Sequence, residues 1–162
     1  LEHLKQTKLF QCTCVRCSDP SEFGTYFSAM KCSGFNKELN CGGMLMPENE
    51  KSWSEGKWVC NKCQGSVETP RILNIVNRCK MDFEAMEKTN EQHCNKYIQH
   101  YSRWLSPNHH YIVDVKILLS QIIGGGSPDA IKRIPEESLM NKIKICQELI
   151  ALFQKVCPGK RR

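Results

Sequence analysis

The spacing of apolar residues changes sharply near residues 65–70 of the chain. Before this point, apolar residues show little periodicity, and glycines and cysteines are frequent. After it, apolar residues recur every three or four positions, as on one face of an α-helix. This pattern predicts a mostly α fold with two parts: a small Cys-rich segment over residues 1–66 and a helical domain over residues 67–162.

Four amphipathic helices are predicted in the second part. Thr89 or Asn90 is placed to cap the second helix and Asn108 the third, and Pro135 opens the last. The apolar stripes comprise, in chain order, Ile72, Ile75, Val76, Cys79, Phe83 and Met86; Cys94, Tyr97, Ile98, Tyr101, Trp104 and Leu105; Ile112, Val115, Leu118, Leu119 and Ile122; and Leu139, Ile143, Cys146, Ile150, Phe153 and either Val156 or Cys157. Short loops predict antiparallel hairpins, similar in architecture to a tetratricopeptide array but without a strict repeat signature.

The first part is expected to consist of loops and short strands. Asp19-Pro20 is a turn signal, and residues 57–59 form a predicted strand that leads into Cys60. Cys41 is followed by Gly42-Gly43, which we interpret as flexible backbone for a metal-binding turn.

The chain has eleven cysteines, and seven of them lie in the first 63 residues at close spacings. A secreted disulfide scaffold would usually carry an even number of cysteines in a small chain with a signal sequence. The odd count, the long helical half and the clustering instead favour thiolate–metal sites in a reducing compartment. The other four are isolated in helical sequence, where a free cysteine packs as a small apolar residue: Cys79, Cys94, Cys146 and Cys157.

The first cysteine cluster follows Phe10 and consists of Cys12, Cys14 and Cys17. Three thiolates within six residues can converge on one Zn²⁺ at about 2.3 Å each. Structural zinc takes four ligands, so one is missing locally. Cys32 could supply it, as could a segment outside this chain.

The second cluster consists of Cys32, Cys41, Cys60 and Cys63, in a C-x8-C pair followed by a C-x2-C pair. Two such pairs form a zinc-ribbon pattern, and four thiolates complete a site without outside help. The first pair is unusually wide, because Phe35 stands where the second cysteine of a C-x2-C pair would be. Both clusters are expected to be structural, since a closed thiolate shell leaves no open position for a substrate.

The remaining features favour no other chemistry. The formal net charge of +6 is mild and its Lys and Arg residues are scattered, whereas direct nucleic-acid binding calls for a clustered basic face with interleaved aromatic residues. No apolar run is long enough to span a bilayer, and no catalytic motif is present. The adjacent His109 and His110 do not share one helix face, so capping or surface roles are favoured over metal binding.

Several segments of the chain resemble a known family. The segment LFQCTCVRCSDPSEFGT, residues 9–25, resembles the post-SET segment of SET and MYND (SMYD) lysine methyltransferases. It is most similar to the arthropod SmydA-like group, whose members often read C-x-C-x-x-C-x-D-P-T-E-x-G-T. The Cys-rich ribbon with Trp58 before Cys60 is also similar to that group. Residues 105–109, LSPNH, resemble the L-H-P-N-H turn of the family, with Ser106 in place of its first histidine.

The resemblance implies specific roles for these residues. In the family, the three post-SET cysteines share a zinc ion with a cysteine of the SET domain, so Cys12, Cys14 and Cys17 would hold three quarters of a site. Phe10 occupies the position of an aromatic residue that packs beside S-adenosylmethionine. The helical domain of the family caps the substrate cleft and binds protein or peptide partners, including chaperones.

The MYND finger and the SET domain are absent from this sequence, and it starts at Leu1. We interpret the chain as a C-terminal fragment of a probable S-adenosylmethionine-dependent protein-lysine N-methyltransferase that is not catalytic by itself. The alternative is a non-catalytic interaction scaffold from a protein whose SET domain has degenerated. Either protein is expected to be intracellular, in the cytoplasm, the nucleus or both, with no membrane partner.

Overall fold

A computed structural model describes residues 14–35, 41–125 and 134–156 of the chain. Its sheet has four antiparallel strands in the order β1-β2-β3-β4. The strands are β1 Met30–Lys31, β2 Met44–Pro47, β3 Lys57–Cys60 and β4 Ser66–Glu68. The predicted strand before Cys60 is therefore confirmed. The predicted boundary at residue 66 falls inside β4, and the division into two domains stays a prediction.

Helices make up most of the regular structure. A short helix, α1, spans Val15–Ser18, and two 3-10 turns span Cys32–Gly34 and Glu50–Trp53. The four longer helices are α2 Thr69–Ala85, α3 Glu91–Tyr101, α4 His110–Ile122 and α5 Glu136–Val156. The mostly helical class with a small sheet is thus confirmed, while the tetratricopeptide-like arrangement stays a prediction. None of the helices in the described ranges is long and apolar enough to cross a membrane.

The sheet is built on alternating buried side chains. Leu45 in β2 faces Cys60 in β3, and both are fully buried. Trp58, also buried, donates its indole N–H to the carbonyl oxygen of Ser52 at 2.9 Å. The hydroxyl of Thr69 donates to the same oxygen at 2.9 Å. This carbonyl therefore ties the third strand to the first turn of α2. Pro70 fits in that first turn because proline has no backbone N–H that would need an acceptor there.

Strand β1 packs directly against the turn that follows α3. Met30 forms an isolated bridge with Leu105. The Lys31 N–H donates to the carbonyl oxygen of Trp104 at 2.6 Å, and the Lys31 ammonium donates to that of Ser102 at 2.6 Å. Buried residues of the sheet and of the four longer helices belong to one core cluster. The Cys-rich sheet is consequently fixed to the helices through both backbone bonds and apolar contacts.

Two of the predicted helix caps can be compared with the structure. Asn90 caps α3, since its side chain accepts from the N–H groups of Gln92 and His93. The prediction that Asn108 caps α4 is wrong. His109 is the cap, and its side chain accepts from the Tyr111 N–H. His109 is also buried, and desolvation lowers the pKa of its imidazole well below the usual value.

Val156 of the predicted stripe packs against the core cluster, but much of the predicted core face of α5 is wrong. Its buried residues are Ile145, Leu149 and Leu152. Ile143, Ile150 and Phe153 from the predicted stripe are exposed, by 51%, 58% and 39%. The helix carries apolar residues on two faces, so spacing alone could not decide which one packs against α4. Trp104 and Leu105, assigned to the second helical stripe, lie in the turn beyond α3.

Gly34 packs closely against the turn that follows α3. A Cβ at this position would lie 2.6 Å from the Arg103 carbonyl oxygen and 2.8 Å from Cδ1 of Trp104. We expect Gly34→Ala to lower the free energy of unfolding by about 1–3 kcal/mol, since part of the clash is with backbone. Urea unfolding measures this loss, and the control is Ser33→Ala, because the Ser33 side chain is exposed. Equal stability of the two variants would contradict the close approach.

Candidate metal centre

Four cysteines from separate parts of the sheet segment converge at one point. Cys32 opens the first 3-10 turn, Cys41 precedes β2, Cys60 ends β3, and Cys63 lies in the turn after β3. All four Sγ atoms lie within 4.8 Å of one another. Two of the distances, Cys32–Cys63 and Cys41–Cys60, are 3.6 Å. The second predicted cluster is therefore assembled in space, including its wide first pair.

The sulfur geometry fits a metal ion rather than disulfides. A tetrahedral zinc site with bonds of about 2.3 Å places its sulfurs about 3.8 Å apart, close to the 3.6 Å distances here. A disulfide would bring two sulfurs to about 2.05 Å, and all four cysteines are free of disulfides. The four residues could hold a metal such as zinc, and the soft thiolate set suits that ion.

The charge state of the cluster depends on whether a cation is bound. Burial raises the pKa of Cys32, and the neighbouring Cys63 and Cys60 raise it further. Several thiolates in one partly buried site repel one another unless a positive ion compensates their charge. Four thiolates at these positions would therefore require a bound cation, whereas the raised pKa of Cys32 favours a neutral thiol without one.

The Cys60 thiol has a lowered pKa. Burial raises the pKa of its thiol, but the backbone N–H groups of Cys63 and Lys62 lower it, with a net pKa of about 7. The Lys62 N–H donates to Cys60 Sγ at 3.4 Å. Because the thiolate is the form that binds a metal, these backbone donors favour binding near neutral pH.

Gly43 gives the Cys60 sulfur the space that it occupies. A Cβ at Gly43 would lie 2.4 Å from Cys60 Sγ, whereas a Cβ at Gly42 would meet only the Lys62 ammonium, at 3.4 Å. Neither glycine has a positive φ angle. Gly43 is therefore needed for room beside a ligand sulfur, and the interpretation that this Gly-Gly pair supplies conformational freedom stays a prediction.

The turn that presents Cys60 and Cys63 contains one strained residue. Gln64 has a φ of 58°, and its N–H donates to the Cys60 carbonyl oxygen at 3.2 Å. The Cys60 N–H in turn donates to the Gly65 carbonyl oxygen at 2.9 Å. Non-glycine residues pay a steric cost for left-handed backbone. The turn therefore holds Gln64 in a conformation that glycine would adopt more easily.

We expect Gln64→Gly to raise the free energy of unfolding by about 0.5–1 kcal/mol, because it relieves the left-handed strain. The exposed Gln64 side chain adds little that would be lost. Gln64→Ala is the control and should give no gain, since alanine keeps the Cβ. Denaturant melts of the metal-loaded proteins measure both changes, and a stabilised alanine variant would contradict this explanation.

Phe35 has a structural role at the position where a C-x2-C pair would place its second cysteine. It ends the first 3-10 turn, and its N–H donates to the Cys32 carbonyl oxygen at 3.0 Å. The ring is buried, and the Arg71 guanidinium lies 5.7 Å from its centroid. An aromatic residue here packs the turn against α2, while Cys41 supplies the sulfur.

The first predicted cluster lies partly outside the described residues. Cys12 and Phe10 both fall there. Cys14 is exposed at the start of α1, and Cys17 lies within α1. The metal site of Cys12, Cys14 and Cys17 and the cofactor contact of Phe10 stay predictions.

The loop after α1 is organised by Asp19. Its carboxylate accepts hydrogen bonds from the backbone N–H groups of Phe23 and Ser21, both at 2.8 Å, and from the Ser21 hydroxyl. The Phe23 bond is the main reason that the pKa of Asp19 is lowered. Glu22, Phe23 and Gly24 all have positive φ angles. The D-P-S-E-F-G-T sequence thus forms a compact turn that the aspartate holds together.

Two of the segments that resemble the SMYD family, residues 9–25 and 105–109, contact each other directly. The Ser106 hydroxyl donates to the Tyr26 carbonyl oxygen at 2.6 Å, and the Asn108 side chain donates to that of Thr25 at 3.1 Å. The His110 N–H donates to the Phe27 carbonyl oxygen at 2.9 Å. Ser106 is buried. These contacts, which spacing did not reveal, join the post-SET-like segment to the start of α4.

Comparisons with known proteins agree with the sequence resemblance. No protein-family profile matches the chain. Isoforms A and B of the SET domain-containing protein SmydA-8 of Drosophila melanogaster are each 41% identical to it over 61 residues. The match covers 38% of this chain and only 12% of the length of these curated relatives. Over that stretch, the chain is similar to this SET domain-containing protein.

Proposed function

We propose that the chain is the zinc-stabilised C-terminal part of an S-adenosylmethionine-dependent protein-lysine N-methyltransferase. The observation that carries the structural role is the convergence of Cys32, Cys41, Cys60 and Cys63. The link to methyl transfer rests on the stretch shared with a SET domain-containing protein. The chain itself would supply structure and binding surfaces, while the transferred methyl group would be handled by the SET domain of the parent protein.

Zinc at the four-cysteine site would stabilise the fold. Four thiolates fill a tetrahedral shell, so no position is left for water or substrate. The site lies where β1, β2 and β3 meet, and the first strand is bonded to the turn after α3. Zinc would therefore hold the sheet in the form that packs against the helices.

The post-SET-like segment would complete a second zinc site and the cofactor pocket. Cys12, Cys14 and Cys17 would take their fourth ligand from the SET domain of the parent chain. Phe10 would then form an apolar wall beside S-adenosylmethionine and exclude water from it. The contacts of Ser106 and Asn108 with this segment support the proposal, because they hold its far end against the helices.

The helices would cap the substrate cleft and bind protein partners, which include the substrate protein or peptide and chaperones. A tetratricopeptide-like stacking of the helical hairpins would suit this role. The alternative is a non-catalytic scaffold, in which the same sheet and helices only bind other proteins. The closed thiolate site would serve such a scaffold equally well.

The test is an assay of the proposed parent protein, in which this chain follows a SET domain. The proposal expects transfer of radiolabelled methyl groups from S-adenosylmethionine to lysine in histones or other proteins. It also expects Phe10→Ala to weaken cofactor binding. A longer protein that folds and holds zinc, but neither binds the cofactor nor transfers a methyl group, would favour the scaffold.

A further inference from the structure

The outward side of α5 carries a stripe of exposed apolar side chains. Of the eight large apolar side chains that are exposed in the described ranges, four lie on this one helix. They are Met140, Ile143, Ile150 and Phe153, which we call the outer stripe. The exposed Gln147 lies between them on the same side and carries no charge. A contiguous apolar surface of this kind is typical of a protein interaction site.

The packing of α5 keeps the outer stripe turned away from the core. The opposite side of the helix is buried against α4. Two polar contacts fix the rotation of the helix at this interface. The Lys116 ammonium lies 2.8 Å from the Glu148 carboxylate, and the Lys142 ammonium donates to the Ile123 carbonyl oxygen at 2.6 Å. Rolling α5 to cover the stripe would break both contacts and expose the buried side.

The spacing of the outer stripe is the same in both chain directions. Its members follow one another at intervals of three, seven and three residues. Two antiparallel copies of α5, paired about a point between residues 146 and 147, would therefore match along the whole stripe. Met140 would lie against Phe153 of the second copy, and Ile143 against Ile150. A two-fold axis through this point uses the same surface on both copies, as in most homodimers.

The charges at the two ends of α5 favour the same arrangement. Glu136 and Glu137 lie in its first turn, and Lys155 lies in its last turn. Antiparallel pairing brings the acidic end of one helix beside the basic end of the other, and it also opposes the two helix dipoles. Parallel pairing would instead place like charges together at both ends.

We propose that the chain forms a homodimer in which the outer stripes of two antiparallel α5 helices cover each other. The self-matching spacing is the reason to favour a second copy over an unrelated partner. The stripe is about 20 Å long, so the interface is small and its dissociation constant should be on the order of 10 µM. The inference goes beyond the proposed function and does not depend on methyl transfer.

Sedimentation velocity of the full zinc-loaded chain, from about 1 to about 200 µM, tests the proposal. We expect a monomer that converts to a dimer across this range. Met140→Glu should weaken the association by about tenfold or more, because it introduces a charge into the interface. The matched control is Met81→Glu, since Met81 is exposed by 68% and lies on α2. A chain that stays monomeric, or equal weakening by the two variants, would overturn the proposal.

Mixing two variants tests the antiparallel orientation. Ile143→Glu and Ile150→Lys should each weaken self-association by about tenfold or more, for the same reason as the change at Met140. An equal mixture should recover dimers, because antiparallel pairing places the new carboxylate of one copy beside the new ammonium of the other. Parallel pairing would set each new charge against isoleucine and give no recovery. A mixture as monomeric as its components would overturn the proposed arrangement.

Discussion

Replacing Cys60 with serine is expected to remove the metal and unfold the sheet segment. Cys60 is fully buried, and it is the thiol whose pKa the backbone donors lower to about 7. Structural zinc contributes on the order of 10 kcal/mol to the folding of small domains. Loss of one of its four ligands should therefore lower the free energy of unfolding by more than about 4 kcal/mol. Urea unfolding, followed by the fluorescence of the buried Trp58, measures the change.

The matched control for this variant is Cys146→Ser. Cys146 is partly buried in α5 and lies outside the cysteine cluster. The same chemical change there should cost about 1 kcal/mol or less and release no zinc. If the two serine variants lost equal stability, the cluster would have no special role in holding the fold. The effect of Cys60→Ser should also reach the helices, because β1 is bonded to the turn after α3.

Gly43→Ala is expected to lower the affinity for zinc by about 100-fold, or about 3 kcal/mol. The new Cβ would lie 2.4 Å from Cys60 Sγ, so the sulfur or the backbone must move. Thiolate sites depend on bond lengths held to about 0.2 Å. Competition with a zinc-binding chromophore measures the affinity directly.

Gly42→Ala separates this steric effect from a general loss of glycine. Its added Cβ would meet only the end of the flexible Lys62 side chain, at 3.4 Å. We expect its zinc affinity to stay within a few-fold of the unmodified protein. A variant at Gly42 as damaging as that at Gly43 would show that backbone freedom, rather than space beside the sulfur, is what the pair provides.

Local spacing was sufficient to predict much of this structure. Four helices follow from the periodicity after residue 69, and the cap at Asn90 follows from the residue type and its place. The cysteine pairs also predicted which four sulfurs converge. Each of these features depends on residues close together in the chain or on chemistry with few solutions.

Features that depend on distant contacts could not be predicted in this way. The core face of α5 is set by the packing of α4 against one of its two apolar sides. The role of Gly34 depends on atoms of Arg103, which is 69 residues away in the chain. The role of Gly43 depends on the sulfur of Cys60, which is 17 residues away. The buried Ser106 replaces a histidine of the family, and its bond to Tyr26 joins segments 80 residues apart. No local pattern in the sequence specifies such pairs.

The most direct test of the central claim is the zinc content of the purified, reduced protein. Elemental analysis should find tightly bound zinc in the unmodified protein. About one equivalent should persist in Cys12→Ser, and that equivalent should be lost in Cys60→Ser. That result would show that Cys32, Cys41, Cys60 and Cys63 form a complete site within this chain. Full zinc retention in Cys60→Ser, or a metal-free protein with its thiols paired in disulfides, would contradict the account.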